Sequence, residues 1–171
     1  TISFTVNYLP LATMNLDSAH QIIRGFGAAS PWYRPVMTLS EVESAFGTAS
    51  GQIGYSILRI TVDADSNLWS RYLPSAKKAQ DMGAIVIASP WYTPTNMVEK
   101  VNNVSRVRYD MYAAYAAHLN SFAKFMKVNG VSIYGLSVQN EPDITDQWTS
   151  WTPAEMLTFM KQNAGVLADT R

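Results

Sequence analysis

The sequence contains no cysteine. That excludes a disulfide framework, a thiol nucleophile and a cysteine-built zinc site. Neither charge is in excess, since 13 Lys plus Arg balance 13 Asp plus Glu. A neutral chain gives no electrostatic ground for expecting nucleic acid or a membrane surface as partner, whereas a neutral polymer such as a polysaccharide fits. No apolar run is long enough to span a bilayer. The opening residues, Thr1-Ile2-Ser3-Phe4, show no basic stretch leading into a hydrophobic one, so no signal peptide is read there. What is plentiful is apolar: 47% of the residues are hydrophobic, with five Trp, nine Tyr and six Phe. That composition belongs to a packed domain, and 171 residues suffice for one real core.

The pattern along the chain changes near residue 25. Before it, Ile2, Phe4 and Val6 alternate with Ser3, Thr5 and Asn7, which predicts a half-buried strand over residues 1–11. Met14-Asn15-Leu16 and Gln21-Ile22-Ile23 are read as two further short strands. After it, strand and helix signals alternate. Strands are predicted over 25–30, 56–62, 84–89 and 131–138. Ser40-Glu41-Val42-Glu43 is read as a capping box opening a helix that Gly47 stops. Leu73, Ala76, Ala79 and Met82 have helical spacing ended by Gly83. The longest helix is predicted over 105–129. A second capping box, Thr152-Pro153-Ala154-Glu155, opens a last helix carrying Met156, Leu157, Met160, Ala164 and Leu167 to the end.

Four strand-then-helix units with continuous apolar strands predict an α/β fold, a parallel sheet covered by helices. The choice lies between a barrel and an open doubly wound sheet. A full (β/α)8 barrel needs about 250 residues, so four units make half of one. The helical pattern runs to Asp169-Thr170-Arg171 without a stop signal, which suggests truncation. Half a barrel leaves two sheet edges open, so pairing with a C-terminal complement or self-association is expected.

The chemistry concentrates in Leu136-Ser137-Val138-Gln139-Asn140-Glu141-Pro142. An apolar strand runs into Asn-Glu, and Pro142 forces the chain out of the sheet. Catalytic groups of parallel α/β folds sit at the carboxyl ends of strands. The pair suits sugar chemistry: the Asn140 amide can bond a ring hydroxyl while the Glu141 carboxylic acid protonates a leaving oxygen. Arg59 interrupts an apolar strand and needs a partner, as a site residue or in a structural ion pair.

These residues carry a resemblance. Asn-Glu-Pro after a fourth barrel strand is similar to the acid/base signature of the large glycosidase clan with (β/α)8 barrels. Arg24-Gly25-Phe26-Gly27, Ser56-Ile57-Leu58-Arg59, Ile87-Ala88-Ser89-Pro90-Trp91, Tyr112-Ala113-Ala114-Tyr115-Ala116 and Trp151-Thr152-Pro153 narrow it. Together they resemble family 30 glycoside hydrolases, and within them the bacterial glucuronoxylanases. The resemblance implies a retaining, endo-acting, secreted enzyme on xylan or glucuronoxylan that needs no cofactor or metal. It implies Glu141 as general acid/base, Asn140 as its neighbour, Arg59 as the arginine steadying the carboxylates, Trp91 as a wall of the sugar site and Trp148 as an aromatic platform. The nucleophilic glutamate would belong to a seventh strand absent from this sequence, so residues 1–171 alone should be inactive. Residues 1–24 would be strands of a β-sandwich side domain, and 25–171 the first four β/α units of the barrel.

Other readings stay open. A family 30 enzyme could act on a β-1,6-glucan or a galactan, and a half-barrel could be inert or merely bind sugar. A nucleotide-binding sheet is disfavoured, because Gly25-Phe26-Gly27-Ala28-Ala29-Ser30 lacks the third glycine and Pro31-Trp32 follows where a helix should open. Asp63-Ala64-Asp65-Ser66-Asn67 begins like a calcium loop but has Leu68 in place of the required glycine. His118 falls within the long helix and is read as structural, and His20 is distant from it in sequence. Trp91 and Trp148 could be core, and Asn103-Val104-Ser105 is a formal glycosylation site.

Overall fold

The computed structural model describes residues 17, 20–30 and 36–169. The strands predicted over 1–11 and 14–16 lie outside them. Residues 21–23 form no strand, and with Ile22 92% exposed no described strand is there to pair with them.

The sheet is parallel and follows chain order: β1 (Gly27–Ala29), β2 (Ile57–Val62), β3 (Ile85–Pro90), then β6 (Ile133–Leu136). Between β3 and β6 stand a two-stranded hairpin of β4 (Val98–Val101) and β5 (Val104–Val107) and the longest helix. Four helices cover the sheet: α1 (Leu39–Phe46), α2 (Leu73–Asp81), α3 (Tyr112–Val128) and α4 (Pro153–Asn163). Side chains alternate along a strand. Leu58, Ile60 and Val62 of β2 and Val86 and Ala88 of β3 are buried in one core with Val42 and Phe46 of α1, Ala76 and Ala79 of α2, and Leu119 and Phe122 of α3. Each large apolar side chain so buried contributes about 1.5–3 kcal/mol. Ile57, Arg59, Ile85 and Ile87 project from the opposite face and are only half-buried. Gly27 is required where β1 meets β2, because a Cβ there would stand 2.0 Å from the Ile57 carbonyl oxygen.

Three local expectations are corrected. The first capping box is Thr38 with Glu41, not Ser40 with Glu43: the Glu41 carboxylate accepts from the Thr38 N–H at 2.7 Å, and Thr38 Oγ1 accepts from the Glu41 N–H at 3.2 Å. The earlier box lengthens the helix and its hydrogen-bonded ladder. The long helix begins at Tyr112, not at residue 105, because Val104 to Val107 pairs antiparallel with Val98 to Val101. Asn102 and Asn103 close that hairpin with φ of 49° and 64°, the two left-handed residues of a tight turn. The last helix stops at Asn163 and passes into a 3₁₀ turn, Ala164–Val166, with Leu157 and Met160 exposed rather than buried. The Thr152–Glu155 capping box stands as expected. His118 packs its ring 5.3 Å from that of Trp69, and no described group of residues could hold a metal ion.

The hairpin is tied down by Arg106, which donates to Glu155 at the start of α4 at 2.6 Å. Burial pushes the Glu155 carboxyl up, but hydrogen bonds from Thr152 and the Arg106 charge outweigh it, so the net displacement is downward. A carboxyl held below its unfolded value stabilises the fold above that value, and the contribution is lost as pH falls through the folded one. Glu155→Gln keeps a capping side chain and removes the charge. It is expected to melt below the parent protein near neutral pH, with the gap closing as pH falls below about 4. Thermal denaturation over a pH series reads this directly, and a gap independent of pH would contradict it.

Candidate active site

The strands fix the site by their ends. Beyond β6 the chain stays paired with β3, through Ser137 N–H to the Ala88 carbonyl at 3.0 Å and Asn140 N–H to the Pro90 carbonyl at 2.8 Å. Tyr115 of α3 donates its hydroxyl to the Val138 carbonyl at 2.8 Å, and its burial raises the phenol's pKa. Gln139 Nε2 donates to the Trp91 carbonyl at 2.8 Å. At Glu141 this extended run breaks. Its φ is +43°, a left-handed conformation that costs a non-glycine residue about 1–2 kcal/mol. Two donors hold the turn at the Glu141 carbonyl: Ile144 N–H at 3.1 Å and Trp148 Nε1 at 3.2 Å. The result leaves Glu141 exposed beside a buried Asn140.

A hydrogen-bonded chain leads from β2 to that carboxylate. Arg59 Nη2 donates to Asn140 Oδ1 at 2.5 Å, and Asn140 Nδ2 donates to Glu141 Oε2 at 3.1 Å. The arginine's Nε donates to Ser89 Oγ at 3.0 Å, and Ser137 donates to the same oxygen at 2.8 Å. The guanidinium lies 4.5 Å from the centre of the Trp91 ring, a cation–π stack. Burial lowers the Arg59 pKa and the charge of Glu141 opposes this; the group stays a cation. Arg59 forms no ion pair within the described residues and reaches Glu141 through Asn140 instead.

Trp91, Asn140 and Glu141 are thus brought together beyond the carboxyl ends of β3 and β6, and Arg59 reaches them by its side chain from the middle of β2. Trp148 joins them by its indole N–H, and its ring also lines a hollow of about 330 Å³ with Tyr92, Thr93 and Gln147. Ser89, Ser137 and Gln139 went unpredicted. Their only signal in the sequence is a polar residue directly after an apolar strand. No second described carboxylate takes part in the Arg59–Asn140–Glu141 chain.

A parallel sheet in chain order, clad by helices, with Asn-Glu at the end of its fourth strand, defines the first half of a glycosidase (β/α)8 barrel. The chain is glucuronoxylanase-like and matches the N-terminal half of the catalytic barrel of the family 30 glycoside hydrolases. It is 49% identical over 160 residues to glucuronoxylanase XynC of Bacillus subtilis, covering 90% of this chain and 38% of that protein. Among solved structures, a family 30 endoxylanase from Clostridium papyrosolvens matches with a TM-score of 0.80 and 44% identity, over 86% of this chain and 41% of the other. A family 30 subfamily 8 xylanase from Clostridium acetobutylicum matches with a TM-score of 0.78 and 33% identity, over 91% and 42%. The chain therefore spans about two-fifths of the length of these relatives. No family model matches it.

Proposed function

We propose that the complete natural chain is a retaining endo-β-xylanase acting on xylan or glucuronoxylan, with Glu141 as general acid/base. The observation that carries this is the hydrogen-bonded chain Arg59–Asn140–Glu141, which runs from the middle of β2 to the segment that follows β6. Glu141 protonates the glycosidic oxygen as the bond breaks, then as carboxylate takes a proton from the water that releases the sugar. Arg59 fixes the Asn140 carbonyl, which leaves the amide N–H₂ toward Glu141 and the sugar hydroxyls. Trp91, stacked on Arg59, offers ring surface to the sugar, and Trp148 does so from the following loop. The second carboxylate, about 5 Å from the first in a retaining site, comes from outside these 171 residues. The half-buried interior face of the sheet, with Ile57 and Ile87, is then covered by the complementary half of the barrel. The substrate is a polymer outside the cell, so the reading includes secretion. No described helix is long and apolar enough to cross a membrane.

The test is a reducing-sugar assay of the complete natural chain on glucuronoxylan, unsubstituted xylan, β-1,6-glucan and galactan, beside residues 1–171 alone. Activity on xylans from the complete chain only is expected. Preference for β-1,6-glucan or galactan would overturn the substrate, and equal activity of the 171 residues would overturn the missing nucleophile. Arg59→Lys keeps the charge but cannot reach Ser89 and Asn140 with one rigid fork. Its kcat on xylan should fall at least about tenfold from misplacement of the site, with KM little changed; unchanged kcat would remove Arg59 from the site.

A further inference from the structure

Gln139, the residue before Asn140, carries a polar amide yet is only 6% exposed. Its Nε2 donates twice, to the Trp91 carbonyl at 2.8 Å and to the Asn140 carbonyl at 3.2 Å. Both partners can only accept, so the side chain can meet them only with its N–H₂ end. The other end, Oε1, is buried and has no hydrogen-bond partner among the described residues. A buried acceptor left unmet is unfavourable. An apolar side chain of similar length would avoid that penalty, so the value of an amide at this position lies in what Nε2 holds.

What Nε2 holds is the peptide that leads into the acid/base. The Asn140 N–H is bonded to the Pro90 carbonyl at 2.8 Å, and the Asn140 carbonyl accepts from Gln139. Both backbone groups of Asn140 are therefore fixed. The next residue is Glu141 with its φ of +43°. A non-glycine residue keeps such a conformation only where its surroundings over-determine it. Ile144 N–H and Trp148 Nε1 hold the Glu141 carbonyl on the far side of the turn. Gln139 holds the near side. The Trp91 carbonyl also accepts from Thr149 N–H at 3.3 Å, so the same clamp ties the turn to the residue after β3 and to the loop before α4.

We infer that Gln139 is a positioning residue of the glycosidase: its N–H₂ group clamps the Asn140–Glu141 peptide against the Trp91 backbone and so sets the direction in which the Glu141 carboxyl meets the glycosidic oxygen. The inference rests on the reading of Glu141 as general acid/base. Gln139 touches no substrate in this scheme and acts through Glu141 alone.

The test uses the complete natural chain. Gln139→Met keeps the length of the side chain and removes both donors together with the unmet acceptor. Its kcat on xylan should fall about ten- to hundredfold, the effect of a misplaced catalytic group, with KM little changed. The first step on an aryl xylobioside with an activated leaving group, read as the single-turnover release of aryl alcohol, should keep the parent rate, because that departure needs no acid. In a Glu141→Gln background, Gln139→Met should cost nothing further on xylan, as expected of two residues that act as one unit. No loss on xylan, equal losses on both substrates, a further loss on top of Glu141→Gln, or a fall in melting temperature that accounts for the loss would each overturn the clamp. If Glu141→Gln alone still removes turnover in those cases, the acid/base reading survives without it. If Glu141→Gln leaves xylan turnover intact, that reading fails first.

Discussion

Glu141→Gln is expected to lower the turnover of xylan by the complete natural chain by about 10²- to 10⁴-fold, the range typical of losing a general acid. The substitution is close to isosteric. Its side-chain oxygen can still accept from Asn140 Nδ2, now 3.1 Å from Glu141 Oε2, so the chain from Arg59 need not rearrange. What disappears is a proton that can be given up and taken back. A poor leaving group, such as the sugar hydroxyl of a polymer, needs that proton in the first step. An activated aryl leaving group departs without it, so glycosylation by such substrates should be nearly spared and hydrolysis of the glycosyl-enzyme should become the slow step. A burst of aryl alcohol followed by slow steady turnover is the expected record. An added small anion such as azide should speed the second step, because it attacks without general-base help. Equal losses on xylan and on the activated substrate, with no burst, would assign Glu141 some other role.

Phe159→Ala is expected to destabilise the fold by about 3–5 kcal/mol, the usual range for emptying a buried phenylalanine site. In a chain of this size that lowers the melting temperature by roughly 10 °C. Phe159 is fully buried in α4. Its ring lies 5.2 Å from Trp151, 5.7 Å from Tyr112 and 5.7 Å from Tyr115. These four rings join α3, α4 and the loop between β6 and α4 in one aromatic knot. Tyr115 leaves that knot by its hydroxyl to hold the strand end three residues before Glu141. Removing Phe159 should therefore loosen the site as well as the core, and activity should be lost at temperatures below the unfolding midpoint. Phe159→Leu, which refills most of the volume, should recover most of both. Calorimetry beside an activity–temperature profile decides it. A melting temperature within two or three degrees of the parent would show that the knot matters little.

Much of the scaffold was legible because strands with one face buried and the other half-buried leave a plain apolar trace. Ile85 to Ala88 is a continuous apolar run, and Ile57 to Val62 is one broken only by Arg59 and Thr61; in a parallel sheet such runs read as inner strands. The acid/base position was legible for a related reason, since polar residues directly after a strand mark its carboxyl end. The hairpin of β4 and β5 was not legible. Its turn is Asn102-Asn103 rather than the commoner Asn-Gly, and Tyr109, Tyr112 and Ala116 continue a helical spacing that reads as if it began earlier. Ser89 and Ser137 were invisible as a pair, because their contact depends on the register of strands 48 residues apart. The Arg59–Asn140 bond spans 81 positions, so a lone arginine in an apolar strand could signal only that a partner existed.

The hairpin has a practical consequence for anyone recombining this chain with its relatives. Ser150 N–H bonds the Ser105 carbonyl at 2.8 Å, Thr149 Oγ1 accepts from the Thr93 N–H at 3.1 Å, and Arg106 holds Glu155. Residues 93–107 and 149–155 are therefore one interlocked module, although more than forty residues separate them in sequence. A chimaera that imports the hairpin alone would leave Glu155 and the carbonyl at 105 facing side chains not selected to meet them. Crossovers placed before residue 93 and after residue 163 carry the module intact, whereas a crossover inside α3 divides it. Libraries built on the two schemes should differ in the fraction of soluble, active members even where both parents are equally stable.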